Sequence, residues 1–138
     1  MSVGLVMIAK NEAHVIARAI KSARGLVDAM TVVVDESTTD DTAAVCEKLG
    51  AQVLVRSYEG SLAVARNEAI ALSRNKTDYL LMLDPDDTIE GFLPEPLVAD
   101  VYDVPIHDGA WRGKRPLLFR GSAGVSYWRP RHEELRVP

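Results

Sequence analysis

The chain has 138 residues, 47% of them hydrophobic and 26% charged, the composition of an ordinary globular domain with a real core. The formal charge of −4 gives no general case for nucleic-acid binding. It is unevenly spread: residues 1–110 carry 9 basic and 18 acidic side chains, residues 111–138 carry 7 basic and 2 acidic. An acidic body with a basic, aromatic-containing tail predicts that the tail meets something anionic. The single cysteine, Cys46, has no internal partner, which points to a reducing, cytoplasmic compartment, with work at the inner membrane surface as a variant. No signal-peptide pattern and no membrane-length apolar run is visible.

In chain order, Val3 to Ala9 is an apolar run that reads as a first strand, and the segment from Glu12 to Arg24 has helical spacing, with Val15, Ile16, Ala19, Ile20 and Ala23 on one stripe. Met30 to Val34 is a second strand ending on Asp35. The cluster Ser37-Thr38-Thr39-Asp40-Asp41-Thr42 is rich in N-cap residues and opens a helix to about Leu49, which carries Cys46 as a buried structural thiol. Ala51 to Val55 is a third strand and Ser61 to Ser73 a third helix. Tyr79 to Leu83 then forms a strand that stops on Asp84, Asp86 and Asp87. This β-α-β-α-β-α-β order with short connections predicts a mainly parallel sheet with helices on both faces. Beyond Asp87, Val101 to Ile106 is a strand with Pro105 marking an edge or end, and Leu117 to Arg120 and Val125 to Trp128 are strands joined by a hairpin loop at Gly121-Ser122-Ala123-Gly124.

Carboxylates at strand ends carry the chemistry. Three acidic groups in four positions repel one another unless a cation sits between them, and ligands of open α/β sheets gather beyond the carboxyl ends of the strands. A hard divalent ion bridging to a phosphate is the first hypothesis, and an acidic turn the second. Arg66-Asn67 projects toward the same edge, where an arginine suits a diphosphate; its alternative is a surface ion pair. No G-x-x-x-x-G-K-[ST] loop, G-x-G-x-x-G turn or G-x-S-x-G elbow is present, and one cysteine with three scattered histidines makes no zinc cluster.

Five ordered motifs resemble one family. Val6-Met7-Ile8-Ala9-Lys10-Asn11-Glu12 resembles the "vmivKNE" opening of family 2 glycosyltransferases, and Val33-Val34-Asp35-Glu36-Ser37-Thr38-Thr39-Asp40-Asp41-Thr42 resembles their "VVDtGSTDgT". Ala65-Arg66-Asn67 resembles "aRN", Leu83-Asp84-Pro85-Asp86-Asp87 the "lDaDe" form of the D-x-D motif, and Leu118-Phe119-Arg120 with His132-Glu133 the "rLFR…HE" of short bacterial and phage members. The resemblance implies a GT-A (Rossmann-like) fold, a three-layer α/β/α sandwich with a mainly parallel central sheet and a short C-terminal β-hairpin region. It implies one domain over 1–138, with 1–87 as the nucleotide-sugar-binding half and 88–138 as a short acceptor-side region.

The implied activity is metal-dependent transfer of a sugar from a UDP- or GDP-sugar to an acceptor hydroxyl, with inversion. Ala9, Asn11, Glu12 and Asp35 would line the nucleoside pocket and Arg66 would face the base or diphosphate. Asp84 would lie near ribose and metal, and Asp86 would ligate Mn2+ or Mg2+ directly, with Asp87 the least certain of the three. His132 is a third metal ligand, a phosphate contact or an ordinary surface histidine. Glu133 is the first candidate for general base, with Glu134 and Asp108 behind it. Ser37 stands where the family pattern has glycine, so the loop must sit differently if a positive φ is needed there.

Trp111, Phe119, Tyr127 and Trp128 among Arg112, Lys114, Arg115, Arg120, Arg129 and Arg131 suit an acceptor carrying phosphate, whether a lipid-linked glycan, a lipopolysaccharide core or a nucleic acid, or else form a hairpin core with solvated arginines. The short region after Asp87 implies a shallow open acceptor site, one completed in a homo-oligomer, or a chain that is a fragment. Two other readings remain: a non-catalytic nucleotide-sugar-binding module with a degenerate acceptor site, and a plain acidic cation-binding domain.

Overall fold

Seven strands form one sheet in the order β3-β2-β1-β4-β7-β6-β5. The structure is a computed structural model that describes residues 1–58, 60–128 and 133–138. The parallel part consists of β1 (Val3–Ala9), β2 (Ala29–Asp35), β3 (Gln52–Arg56) and β4 (Tyr79–Met82). The central strands β1 and β4 are apolar because helices cover both faces: every residue of each is buried. The chain moves from β1 through α1 (Ile16–Arg24) to β2, and through α2 (Thr42–Lys48) to β3. It then reverses through α3 (Leu62–Ser73) to place β4 on the other side of β1. Right-handed crossovers in opposite directions put their helices on opposite faces. Accordingly Ile16, Ala19, Ile20, Ala23 and Cys46 pack in one core cluster, and Ala63, Ala65, Ala69 and Ile70 in a second. Cys46 is the buried structural thiol expected, its pKa pushed up to about 11 by burial.

Two boundaries differ from the pattern in instructive ways. Helix α1 starts at Ile16, not Glu12, because Val15 sits at φ −129°, outside helical geometry. Glu12 N–H donates to Thr42 Oγ1 at 2.9 Å and Ala13 N–H to Asp40 Oδ2 at 3.1 Å. The second difference overturns the hairpin expected at 121–124. That segment is a 3-10 turn (Gly121–Ala123), and β7 (Trp111–Arg120) pairs instead with β4 and with β6 (Val101–Asp108), both antiparallel. The hairpin turn lies at Gly109–Ala110, after Asp108, with Gly109 at φ 56°. Asp-Gly is a strong hairpin signal, but alternating basic residues in 111–115 hide the strand that follows it. A short β5 (Thr88–Ile89) covers part of β6, pairing with it only at His107 and Ile106 and so ending beside Pro105. The C-terminal hairpin is β8 (Ser126–Trp128) with β9 (Glu134–Arg136), a separate two-stranded ladder packed on the α3 side.

Strand direction sets up the site. Only Leu118, Phe119 and Arg120 of β7 pair with β4, so residues 111–117 overhang the carboxyl end of β4. The switch point between β1 and β4 therefore gains a side wall. No described helix is long and apolar enough to cross a membrane.

Gly121 holds the chain close where β7 leaves the sheet: its N–H donates to Asp78 O at 2.9 Å, and a Cβ there would lie 2.9 Å from the backbone oxygen of Arg74. Because backbone atoms cannot yield as a side chain does, Gly121→Ala is expected to destabilise the chain by about 1–3 kcal/mol. Urea unfolding monitored by circular dichroism measures this.

Candidate active site

Asp35 ends β2, Ala9 ends β1 and Asp84 follows β4, so these groups lie along one sheet edge in the order β2, β1, β4. Arg66, on α3, is buried and reaches this edge from the side of the sheet that α3 covers. Its Nη2 donates to Asp84 Oδ1 at 2.7 Å and its Nε to Glu133 Oε1 at 2.6 Å. Its guanidinium carbon stands 5.3 Å from the centre of the Tyr127 ring. Burial opposes its charge, but Asp84, Tyr127 and Glu133 together outweigh that and raise its pKa. The surface ion pair that was the alternative for Arg66 is thereby excluded.

Asn67, the next residue, fixes the wall that carries Glu133. Its side chain donates to Tyr127 O at 2.9 Å and accepts from Tyr127 N–H at 2.7 Å, holding β8 by its backbone in addition to its pairing with β9. Tyr127 was expected only as a tail aromatic; it is a buried residue of this site, with its hydroxyl pKa pushed up to about 12 by burial. Arg66, Asp84, Asp87, Arg115, Leu117, Tyr127 and Glu133 line a cleft of about 450 Å³.

Asp84, Asp86 and Asp87 each place a carboxylate oxygen within 4.8 Å of the others. Asp87, read from sequence as the least certain of the three, is the most deeply buried, at 2% exposure. Its Oδ2 meets Arg115 Nη1 at 3.5 Å, and its Oδ1 has no hydrogen-bond partner among the described residues. Burial, then the charges of Asp84 and Asp86, lift its pKa from 3.8 to about 7. A buried orphan oxygen beside two further carboxylates is a hard-oxygen donor set that fits a divalent cation.

The other expected residues divide. Burial and the nearby Asp86 raise the pKa of Glu12, which is thereby coupled to the acidic group. Asp35 is buried and already engaged: Oδ1 accepts from Tyr58 N–H at 2.8 Å, and Oδ2 accepts from the Ser37 N–H at 3.1 Å and from the Ser37 hydroxyl. These bonds hold its pKa below the usual carboxylate range, the Ser37 hydroxyl contributing most. Ser37 needs no positive φ; among described non-glycine residues that conformation belongs to Asn11, at 52°. Asn11 points at the neighbouring loop, its Oδ1 accepting from Thr39 N–H at 2.9 Å. Phe119 is core and Arg120 pairs with Asp100 at 3.3 Å, so neither belongs to the cleft. Glu134 is exposed on β9. Asp108 lies close enough to contribute to the raised pKa of Asp87. His132, Arg129 and Arg131 lie outside the described residues.

The family profile described as Glycosyl transferase family 2 matches residues 5–106. The chain belongs to glycosyl transferase family 2. Among curated relatives, an uncharacterized glycosyltransferase of Rickettsia felis is 41% identical over 83 residues, covering 60% of this chain and 28% of the relative. A TPR repeat-containing protein of Synechococcus elongatus is 30% identical over 95% of this chain and 34% of its own length. The family 2 chain thus spans about a third of the length of such relatives. Among solved structures, glucosyl-3-phosphoglycerate synthase from Mycobacterium tuberculosis in complex with uridine diphosphate is similar with TM-score 0.53 and 25% identity, covering 62% of this chain and 34% of that one. The fold is shared more widely: a 4-diphosphocytidyl-2C-methyl-D-erythritol synthase superposes with TM-score 0.56 at 12% identity over 88% of this chain and 76% of its own. The GT-A fold read from the motifs is the fold observed.

Because Asp87 holds its proton to about pH 7 when folded and only to about 3.8 when unfolded, the folded state binds more protons between those values. In metal-free buffer, stability is therefore greatest below about pH 4 as far as this group is concerned and is lost as pH rises through 7. The expected loss is on the order of 2 kcal/mol once screening by the open cleft is allowed for. Asp87→Asn should flatten that dependence in denaturant titrations from pH 5 to 8.

Proposed function

We propose that this chain is the nucleotide-sugar-binding and catalytic part of a metal-dependent glycosyltransferase that moves a sugar from a UDP- or GDP-sugar to an acceptor hydroxyl, with inversion. The observation that carries the reading is the bridge from Arg66 to Asp84 and Glu133 at the mouth of the Asp84–Asp86–Asp87 group. A uridine nucleotide is favoured because the M. tuberculosis relative was solved with uridine diphosphate. Residues 1–87 would bind the donor and 88–138 would contribute the acceptor side. The lone buried Cys46 suits a reducing, cytoplasmic setting.

Asp84, Asp86 and Asp87 would hold Mn2+ or Mg2+, which as a Lewis acid supplies charge stabilisation to a departing diphosphate. Arg66 holds Asp84 in place and adds a fixed positive charge beside the group where negative charge develops. Asp35, with its loop bonds satisfied, keeps lone pairs for nucleoside donors, and Glu12 and the backbone at Ala9 flank it. Glu133 is the proposed base. Its Oε1 is oriented by Arg66 Nε, and the carboxylate lines the same cleft as Asp84. It would take the acceptor hydroxyl proton as that oxygen attacks the anomeric carbon.

Calorimetric titration with UDP and with GDP, each with and without Mn2+, paired with a donor-hydrolysis assay, tests this reading. Metal-dependent binding with turnover is expected. Binding without hydrolysis or transfer would favour a non-catalytic nucleotide-sugar-binding module, and absence of nucleotide binding at millimolar concentration would sink the proposal. Asp86→Ala is expected to abolish metal-dependent UDP binding. Glu133→Gln should preserve that binding while lowering turnover by about 10²–10⁴-fold; equal loss of binding in both variants would remove Glu133 from the role of base.

A further inference from the structure

The overhanging face of β7 carries groups that the proposed donor chemistry does not use. Trp111, Gly113 and Arg115 alternate along the strand and so share one face. The Trp111 ring lies along the strand over Gly113: a Cβ there would meet it at 2.5 Å and push the indole out of this position. The ring extends to Arg115, whose guanidinium carbon is 4.6 Å from the ring centre. Trp111 nonetheless remains 45% exposed, and the Arg115 side chain 41%.

Arg115 is under-used as a cation. Its contact with Asp87 is long, at 3.5 Å, and engages one of its nitrogens, whereas a guanidinium fork suits two parallel bonds to an oxyanion. Arg112, on the opposite face of the same strand, faces Glu90 at 3.8 Å and belongs to a different environment. Position then separates Arg115 from the donor. Along the sheet edge the order is Asp35 on β2, Ala9 on β1, the acidic group after β4, and Arg115 on β7. The nucleoside end and Arg115 thus lie on opposite sides of the carboxylates, and Arg115 lines the cleft wall across which an acceptor would enter.

We propose that Trp111, Gly113 and Arg115 form an acceptor subsite for a sugar or polyol that carries an oxyanion, the indole lying against the ring and Arg115 taking the phosphate or carboxylate. This rests on the donor reading above for the word acceptor, but not for the binding itself. The chain has only two tryptophans, so Trp128→Phe leaves Trp111 as the single indole reporter. Its emission is titrated with glucose 6-phosphate, with glucuronate and with glucose, in the absence of metal and nucleotide, and calorimetry on the wild-type chain repeats the ranking. At least one charged sugar should bind about tenfold or more tightly than glucose and shift the Trp111 emission. Preference for the phosphate or the carboxylate identifies the oxyanion.

Arg115→Gln should erase the preference and Arg115→Lys should keep part of it. Circular dichroism and urea unfolding, unchanged from the wild-type chain, report that the Arg115→Gln variant is folded. Equal affinity for all three sugars, or a preference that survives Arg115→Gln, overturns the proposal. Failure of the wild-type chain to bind UDP–Mn2+ would overturn the donor reading instead and leave the sugar titrations to be judged alone.

Discussion

The buried guanidinium of Arg66 is the constraint on which the rest of the cleft depends. A charge in that position is tolerated only while it is paired, and its partners come from distant parts of the chain: Asp84 after β4 and Glu133 before β9. The pairing therefore ties the central sheet, α3 and the C-terminal ladder to one point. Asn67 repeats the tie through the backbone of Tyr127. Consecutive residues of one helix thus do electrostatic and positional work, which gives a physical reason for the Ala65-Arg66-Asn67 motif beyond its recurrence in a family.

The acidic group poses the opposite problem. Arg66 compensates Asp84, and Arg115 reaches Asp87 only loosely, so negative charge stays concentrated at the switch point. An orphaned oxygen on Asp87 and an upward-shifted pKa are two expressions of the same excess. Protonation relieves it at low pH, and a bound cation would relieve it near neutrality. Local instability of this kind is expected where a site is organised for a ligand and not for the resting fold.

The parallel half of the fold is legible because burial of β1, β4 and most of β2 leaves an unmistakable apolar run, and because the β2 and β4 runs lead into Asp35 and Asp84. Arg66, Asp84 and Glu133 came together as the ordered motifs implied. The misreadings fell where one face is solvated or where function competes with periodicity. Strand β7 was cut short to Leu117–Arg120 because its overhang carries tryptophan, lysine and arginine, which give no apolar alternation. Helix α1 begins later than its apolar stripe implies because Val15 leaves helical geometry, a backbone turn that spacing does not encode. The deep burial of Asp87 is not legible because burial cannot be read from neighbours in sequence.

The antiparallel run of β7 also decides how this cleft can be altered. Its side wall is the free end of a hairpin whose register is fixed below, at Leu118 to Arg120, and whose turn at Gly109–Ala110 is exposed. Residues added in pairs at that turn would lengthen each arm by ~3.4 Å per residue pair while shifting none of the pairs beneath it. A single residue added between Arg115 and Leu118 would instead reverse the alternation above the anchor and turn Arg115 away from the cleft. The depth of this side wall is thus a length parameter, separable from the charge geometry at its base.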